Sequence, residues 1–145
     1  MNNKPIMKVV CKGEKPSYAN QFAAGLDIKA NNDEPITINV GEYADIPTKL
    51  SMEIPNGFCG IVIPRSDLGF NHRITLINDI GLIDEDYRGD IGVRLLNEGT
   101  EPYTIYLGDR VAQMVIIPYV QPELVFVDEL SETQRGKGGF GSTGV

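Results

Sequence analysis

Short apolar stretches, separated by residues that favour turns, recur along most of the chain. Many are rich in β-branched residues and alternate apolar with polar positions, as in the run Ile-Thr-Ile-Asn-Val at 36–40. Such alternation is typical of strands with one buried face, and turn signals at 55–57 and 97–99 separate the strands at the interval expected of a sandwich or barrel. The pattern predicts strands at residues 7–11, 36–40, 43–46, 50–54, 58–63, 91–96, 103–107, 111–117 and 124–127. Helical apolar spacing is missing from every window of ten residues, so we expect an all-β domain with at most a turn or two of helix near Leu68.

The composition narrows the class of protein without changing this fold prediction. A chain of 145 residues, with 41% hydrophobic and 23% charged positions, is the size and make-up of one ordinary globular domain. Its apolar runs are far shorter than the ~20 residues of a membrane span, and its first residues lack the apolar stretch of a secretory signal. We therefore expect a cytoplasmic protein that does not enter a membrane. The net charge of −7 repels a polyanion and argues against double-stranded nucleic acid as a partner.

Cysteine and histidine are too few to build a metal centre or a disulfide framework. Cys11 and Cys59 are the two cysteines and His72 is the single histidine, which leaves three borderline-soft ligands where a structural zinc site needs four. We expect both thiols to be buried. His72 is expected to be a solvated loop residue.

The C-terminal segment is the most unusual in composition. It holds five glycines in the nine residues 136–144 and cannot offset the entropy of its own ordering, which predicts a domain at 1–133 and a mobile tail at 134–145. The tail is either a frayed terminus or an anion-binding segment, since it also carries basic, aromatic and hydroxyl side chains. Two formal G-x-G-x-x-G matches, at 136–141 and 139–144, lack the preceding strand and following helix of a dinucleotide site. A Walker loop is excluded because Gly138 follows Lys137.

Residues 81–93 carry an acidic cluster between apolar flanks. Asp84, Asp86 and Gly89 match positions of a calcium-binding loop, but Arg88 and Leu95 occupy two positions that require ligands, so that site is rejected. The segment is expected to be a β-hairpin whose turn carries the charge. That turn is either solvated or functional.

Polar side chains at three further places lie next to predicted strands. Arg65 and Ser66 follow the strand at 58–63, where loops on a rigid scaffold often hold function, although an ordinary surface loop is the alternative. Asp27 lies inside the apolar stretch 23–28, and Gln113 lies among apolar neighbours at 108–114. Such residues need hydrogen-bonding partners if they are buried.

Taken in order, the five segments resemble the five motifs of the trimeric deoxyuridine triphosphatase (dUTPase) family. The matching residues are 24–27, 64–66, 81–92, 108–113 and 135–144, about a third of the chain. The resemblance implies a jelly-roll-like β barrel or sandwich that forms a homotrimer with shared active sites. It also implies that the glycine-rich tail closes over bound nucleotide as a lid.

The reaction implied by this resemblance is the hydrolysis of dUTP to dUMP and pyrophosphate, which limits uracil incorporation into DNA and supplies dUMP for dTMP synthesis. Asp84 would hold and activate the attacking water as a general base. Tyr87 would lie under the deoxyribose and exclude a 2′-hydroxyl. Uracil would be bound by backbone groups, with an amide contact from one side chain, in a slot that rejects a 5-methyl group. The residues implied in the slot are Leu82, Ile83, Gly92 and Asn78.

The same resemblance assigns the remaining site residues to the phosphates and the lid. Phosphate contacts would come from Arg65, Ser66, Asp67 and Gln113, with Asp27 in support. The tail would contribute Arg135, Phe140, Gly141, Ser142 and Thr143, with the phenyl ring stacked on uracil. Mg²⁺ would be held by the three phosphates and water, with no direct protein ligand.

The second motif reads Pro-Arg-Ser-Asp-Leu-Gly where the family usually has Pro-Arg-Ser-Gly-Leu-Ala, and the departure that matters is Asp67 in place of glycine. An inward carboxylate there would repel phosphate, so we expect only the peptide N–H of Asp67 to touch it.

Two alternatives to a dUTPase remain from the sequence. A dCTP deaminase shares the fold, but it expects its catalytic carboxylate elsewhere and lacks a full closing tail of this kind. A nucleotide-gated binding protein would use the dUTP-bound state to engage a regulatory protein, and this role could coexist with catalysis.

Overall fold

The computed structural model describes residues 4–141, and within this range it has twelve strands and one short helix. The strands are β1 Lys8–Cys11, β2 Ser17–Tyr18, β3 Leu26–Lys29, β4 Ile36–Ile38, β5 Tyr43–Ile46, β6 Leu50–Glu53, β7 Phe58–Ile63, β8 Ile74–Leu76, β9 Gly81–Ile83, β10 Val93–Asn97, β11 Tyr103–Ile105 and β12 Arg110–Pro118; the helix is α1 Ser66–His72. The all-β prediction is confirmed, as is the short helix near Leu68. In the part of the chain that the structure describes, no helix has the length and apolar character needed to cross a membrane.

The strands form four antiparallel sheets, and most neighbours in a sheet are distant in the chain. The largest sheet has the order β2-β3-β12-β7-β9, and a second has the order β5-β10-β8. Two further pairs, β1-β6 and β11-β4, complete the body. Apart from β2 and β3, strands that are neighbours in a sheet are not neighbours in the chain, as in the jelly-roll-like architecture expected from the sequence.

Alternation along the strands directs one set of side chains into a single core. In β10, Val93 and Leu95 are buried while Arg94 between them is exposed. The same rule fills the core with branched aliphatic side chains from nearly every strand. The largest fully buried apolar side chains are Ile28, Ile38, Leu50, Ile74, Ile91, Leu95, Ile105, Val111 and Met114.

The hairpin predicted at 81–93 is wrong. Strand β9 pairs with β7, whereas β10 pairs with β5 and β8, so residues 84–92 cross from one sheet to another. Local alternation fits either arrangement, because it reports a buried face and not the identity of the partner strand. The crossing leaves β9 at the edge of the largest sheet.

The strand predicted at 124–127 does not form in the single chain. Residues 119–141 are all exposed and contain no strand or helix. Their apolar side chains include Leu124, Val125 and Phe126. A strand needs a hydrogen-bonding neighbour, and within the described residues this stretch has none. The predicted boundary at residue 133 and the mobility of the tail stay predictions.

Two other expectations need correction. Cys59 is buried, but Cys11 is only half-buried because it ends a strand at the edge of its sheet. His72 is exposed as expected, yet it lies in α1 rather than in a loop, and its ring packs against the tilted ring of Tyr103.

Candidate active site

A buried carboxylate marks one end of the largest sheet. Asp27 of β3 lies opposite Gln113 of β12, which in turn lies opposite Ile63 at the end of β7. Three adjacent strands therefore bring the polar residues of three sequence segments together. The Asp27 side chain is 9% exposed, so it needs compensating charge.

Two arginines provide that charge. Arg65 Nε donates to Asp27 Oδ1 at 3.1 Å, and Arg110 Nη1 lies 3.6 Å from Asp27 Oδ2. Arg65 Nη1 also points to the carbonyl oxygen of Arg110 at 3.4 Å. The carboxylate thus fixes the direction of the Arg65 guanidinium, which is itself mostly buried. Sequence reasoning missed Arg110, whose role becomes visible only when β3 and β12 are aligned.

Gln113 is held on the same cluster by a close fit. Its Nε2 donates to the carbonyl oxygen of Pro64 at 3.1 Å. On its other side lies Gly25, where an added Cβ would collide with the side-chain oxygen of Gln113 and lie 3.2 Å from its Cδ. Gly25 is therefore required for this placement of the amide, a role that the sequence did not reveal.

Ser66 and Asp67 open α1 directly after Arg65, and both are exposed. The Asp67 carboxylate accepts a hydrogen bond from Asn71 Nδ2 at 2.6 Å, one turn further along the helix. This bond ties the carboxylate to the helix surface.

The loop after β9 is organised around the ring of Tyr87. Its hydroxyl donates to the carbonyl oxygen of Asp90 at 3.0 Å, and its backbone N–H donates to the carbonyl oxygen of Asp84 at 3.2 Å. A Cβ at Gly89 would lie 2.7 Å from Tyr87 Cζ, so a glycine lets the ring lie against the loop. Arg88 closes the turn by donating to the carbonyl oxygen of Glu85 at 2.7 Å. The exposed Asp84 carboxylate is thus presented by an ordered turn.

Backbone groups beside this turn are open. Because β9 is an edge strand, the backbone N–H and C=O groups of residues 81–83 that point away from β7 have no partner strand within residues 4–141. Gly92, on the far side of the loop, has open space where a Cβ would be. Asn78 Nδ2 donates to the carbonyl oxygen of Ile80 at 3.2 Å, just before β9.

The loop that carries Asp84 and the cluster around Asp27 and Arg65 lie far apart in one chain. Asp84 follows Ile83, which pairs with Gly60 near the start of β7, whereas Arg65 follows the end of that strand. A strand rises about 3.3 Å per residue, so the stretch from Gly60 to Arg65 spans roughly 15 Å. Strands lie about 4.8 Å apart, and β12 and β7 separate β3 from β9, so Asp27 and Asp84 are roughly 20 Å apart.

The surroundings of Tyr119 show at which end of the largest sheet Asp84 lies. Tyr119 follows β12 at the end opposite Gln113. Partial desolvation raises the pKa of the Tyr119 hydroxyl, and the carboxylates of Glu85 and Asp84 raise it further. Gly57 N–H donates to Glu85 Oε2 at 2.6 Å, and the Gly57 carbonyl oxygen accepts a bond from Tyr119 N–H at 3.2 Å, so the acidic loop lies beside the end of β12 that is remote from Arg65.

The described part of the C-terminal tail, residues 134–141, reaches neither group of residues. Arg135 Nε donates to the carbonyl oxygen of Gly138 at 2.9 Å, within the tail itself. Phe140 and Gly141 are exposed. Ser142 and Thr143, both predicted in the site, lie outside the described residues. Across residues 4–141, no group of three or more His, Cys, Asp or Glu side chains is arranged to hold a metal ion.

Comparisons with known proteins agree with the motifs. The family model for dUTPase matches residues 12–144. A deoxyuridine 5′-triphosphate nucleotidohydrolase of Anaeromyxobacter sp. (strain Fw109-5) is 51% identical over 131 residues, covering 90% of this chain and 88% of that protein.

Two solved structures extend this likeness to the whole fold. The dUTPase of Staphylococcus bacteriophage 80alpha with dUPNHPP has a TM-score of 0.87 at 28% identity, covering 98% of this chain and 100% of that one. A mutant dUTPase from phage phi11 of S. aureus, whose structure reveals the coordination of a structural Mg(II) ion, has a TM-score of 0.78 at 25% identity, covering 86% of this chain and 98% of that one. The motifs, the jelly-roll-like fold and these matches together lead to one conclusion: the chain belongs to the dUTPase family.

Proposed function

We propose that this chain hydrolyses dUTP to dUMP and pyrophosphate in the cytoplasm, limiting uracil incorporation into DNA and supplying dUMP for dTMP synthesis. Family membership supports the reaction, as does the phage 80alpha relative that holds dUPNHPP. The observation that carries the proposal is the loop after β9, where an exposed Asp84 and the fixed ring of Tyr87 share one turn beside an open strand edge.

Asp84 is the general base in this proposal. Its carboxylate orients a water molecule toward the α-phosphorus and takes up a proton from that water as the new P–O bond forms. The bond between the α-phosphorus and its bridging oxygen breaks, and pyrophosphate leaves. The hydrogen bond from the Tyr87 N–H to the Asp84 carbonyl oxygen keeps the base and the ring in one geometry.

Base and sugar are selected next to this carboxylate. The outer edge of β9, in the stretch that includes Leu82 and Ile83, supplies open backbone donors and acceptors for uracil, with the Asn78 amide nearby. A narrow backbone slot rejects thymine by a clash with its 5-methyl group, and rejects cytosine because its donors are mismatched. The Tyr87 ring, fixed by Asp90, supports the deoxyribose and leaves no room for a 2′-hydroxyl.

The buried cluster at the other end of the sheet binds the phosphates. Arg65 keeps donors free while Asp27 fixes its direction, and Ser66 and Gln113 lie beside it. The Asp67 carboxylate bonds Asn71, which leaves its peptide N–H as the group that meets phosphate.

Mg²⁺ is the proposed cofactor, held by the three phosphates and water rather than by protein ligands. This donor set suits a small, hard cation that keeps several of its waters. When bound, the ion neutralises phosphate charge, which matters for a chain with a net charge of −7.

The distance between the two groups of residues supports a shared site. A triphosphate is too short to join Asp84 to the Arg65 cluster across roughly 20 Å, so each site combines the loop of one copy with the cluster of another. The exposed apolar residues of 119–130 supply surface for association between copies. A homotrimer with three such sites accounts for both features.

The tail completes each site as a lid. Arg135 and the fully exposed Phe140 are free to close over the nucleotide, with the ring on uracil and the guanidinium on the phosphates. Gly141, Ser142 and Thr143 extend the same segment.

Pyrophosphate release from dUTP, dTTP, dCTP and UTP, each with and without Mg²⁺, tests the proposal. We expect rapid release from dUTP alone, and only with the metal. Ammonia release from dCTP would instead identify a deaminase, and equal rates with dUTP and UTP would contradict the role of Tyr87.

A further inference from the structure

The ring of His72 packs on Tyr103 at the end of α1. The ring centroids are 4.7 Å apart and the planes are tilted by 52°. His72 is the last residue of the helix that begins directly after Arg65, and Tyr103 opens β11. The pair therefore joins the helix to a strand that the chain reaches much later.

Helix α1 depends on such contacts because it is too short and too poor in helix formers to be stable alone. It has seven residues, including Gly69 and Asn71, and its N-cap residue makes no side-chain capping bond. Leu68 is its buried residue. With one buried side chain, the helix relies on contacts at its far end to fix its direction.

Close backbone contacts fix the C-terminal end of α1 around His72. A Cβ at Gly99 would lie 2.7 Å from the carbonyl oxygen of His72, so the glycine allows this close approach. Glu98 N–H donates to the carbonyl oxygen of Arg73 at 3.0 Å. The fully buried Asn97 accepts a bond from Gly99 N–H at 2.9 Å. The turn that holds the helix end thus leads directly to Tyr103.

The same helix carries the phosphate-binding residues at its other end. Its first hydrogen bond runs from Gly69 N–H to the carbonyl oxygen of Arg65 at 3.0 Å. Burial raises the pKa of the Tyr103 hydroxyl, the negative carboxylates of Asp109 and Asp67 raise it further, and positive Arg65 lowers it. Tyr103 is therefore within electrostatic reach of the residues that open the helix as well as in contact with the residue that ends it.

We infer that His72 and Tyr103 are positioning residues, which hold α1 so that Arg65 and Ser66 face the phosphates of the substrate. This inference rests on the proposed function, because it assigns those two residues to phosphate binding. The aromatic pair acts on binding and not on the water-activating step, since it packs against the helix that carries the phosphate-binding residues, whereas the proposed general base, Asp84, comes from another copy of the chain.

Steady-state kinetics of His72→Ala test the inference. We expect KM for dUTP to rise roughly three- to tenfold, the range set by the loss of one aromatic pair, with kcat within about twofold of wild type. Inhibition by inorganic pyrophosphate should weaken by a similar factor, because that ion uses only the phosphate subsite. His72→Phe should restore both values, as a phenyl ring can occupy the same place on Tyr103.

Phe70→Ala is the matched control. It removes an aromatic ring from the same helix, but that ring is 91% exposed, so KM should stay at the wild-type value. Tyr103→Leu should reproduce the effect of His72→Ala, and the double variant should be no worse than either single one. Thermal unfolding of each variant identifies general loss of fold.

Three results would overturn the inference. They are an unchanged KM in His72→Ala, a fall in kcat without a change in KM, and failure of His72→Phe to restore KM. If wild type itself did not hydrolyse dUTP, the proposed function would fall together with this inference. An active wild type beside an unaffected His72→Ala would refute the inference alone.

Discussion

Gly25→Ala is the substitution whose effect the structure defines most sharply. The new methyl group would occupy the place of the Gln113 side-chain oxygen and lie 3.3 Å from Gln113 Cβ. Gln113 must therefore turn away and lose its 3.1 Å hydrogen bond to the carbonyl oxygen of Pro64. Because Gln113 faces the proposed phosphate path, activity should fall as well as stability.

The expected size follows from these two contacts. Overpacking in a well-packed site costs about 1–3 kcal/mol, and a lost neutral hydrogen bond costs about 1 kcal/mol. Gln113 is only half-buried, so its displaced amide regains water and the two costs do not add fully. We expect the free energy of unfolding to fall by about 2 kcal/mol.

Denaturant unfolding at a fixed protein concentration measures this loss, and kcat/KM for dUTP measures the functional effect, expected to be about a tenfold decrease. Gly69→Ala is the control, because its Cβ would enter open space. In the double variant Gly25→Ala/Gln113→Ala the collision is relieved, so stability should recover in part while activity stays low. A Gly25→Ala protein as stable and as active as wild type would refute this reasoning.

Three further predictions concern the acidic loop and the tail. Asp84→Asn should abolish most turnover and leave binding of dUPNHPP near the wild-type affinity by calorimetry; full turnover would contradict its role as the base. Tyr87→Ala should raise the rate with UTP relative to dUTP at least tenfold in a competition assay, because the ring that excludes the 2′-hydroxyl is gone, and unchanged selectivity would count against that role. Removal of residues 135–145 should lower kcat strongly with little change in thermal unfolding, since Arg135 and Phe140 make no core contacts among the described residues; a chain that no longer folds would disprove the lid.

Much of the fold could be predicted because its signal is local. Alternating runs located β7 and β5 at their observed bounds, and the polar Asp27 inside an apolar run correctly indicated a buried group with partners. Strands β2 and β8 were missed, because two or three residues are too few to show a period of two.

The remaining features depend on contacts between residues that are distant in the chain. The pairing of β9 with β7 is set by tertiary packing, so the local pattern suggested a hairpin instead. Arg110 acquires its role from its contact with Asp27, and His72 from its contact with Tyr103. In each case several strands separate the two partners along the chain. The order of five segments could be read from the sequence, but their division between two ends of one sheet could not.

The central claim is that Asp84 and Arg65 of each active site come from different copies of the chain, and subunit mixing tests it most directly. Arg65→Ala and Asp84→Asn are each expected to be nearly inactive. In randomly mixed trimers of equal amounts, one site in four combines an intact Asp84 with an intact Arg65, so activity should return to about a quarter of wild type. If one chain supplied both residues, every site would carry a defect, and a mixture without recovered activity would contradict the account.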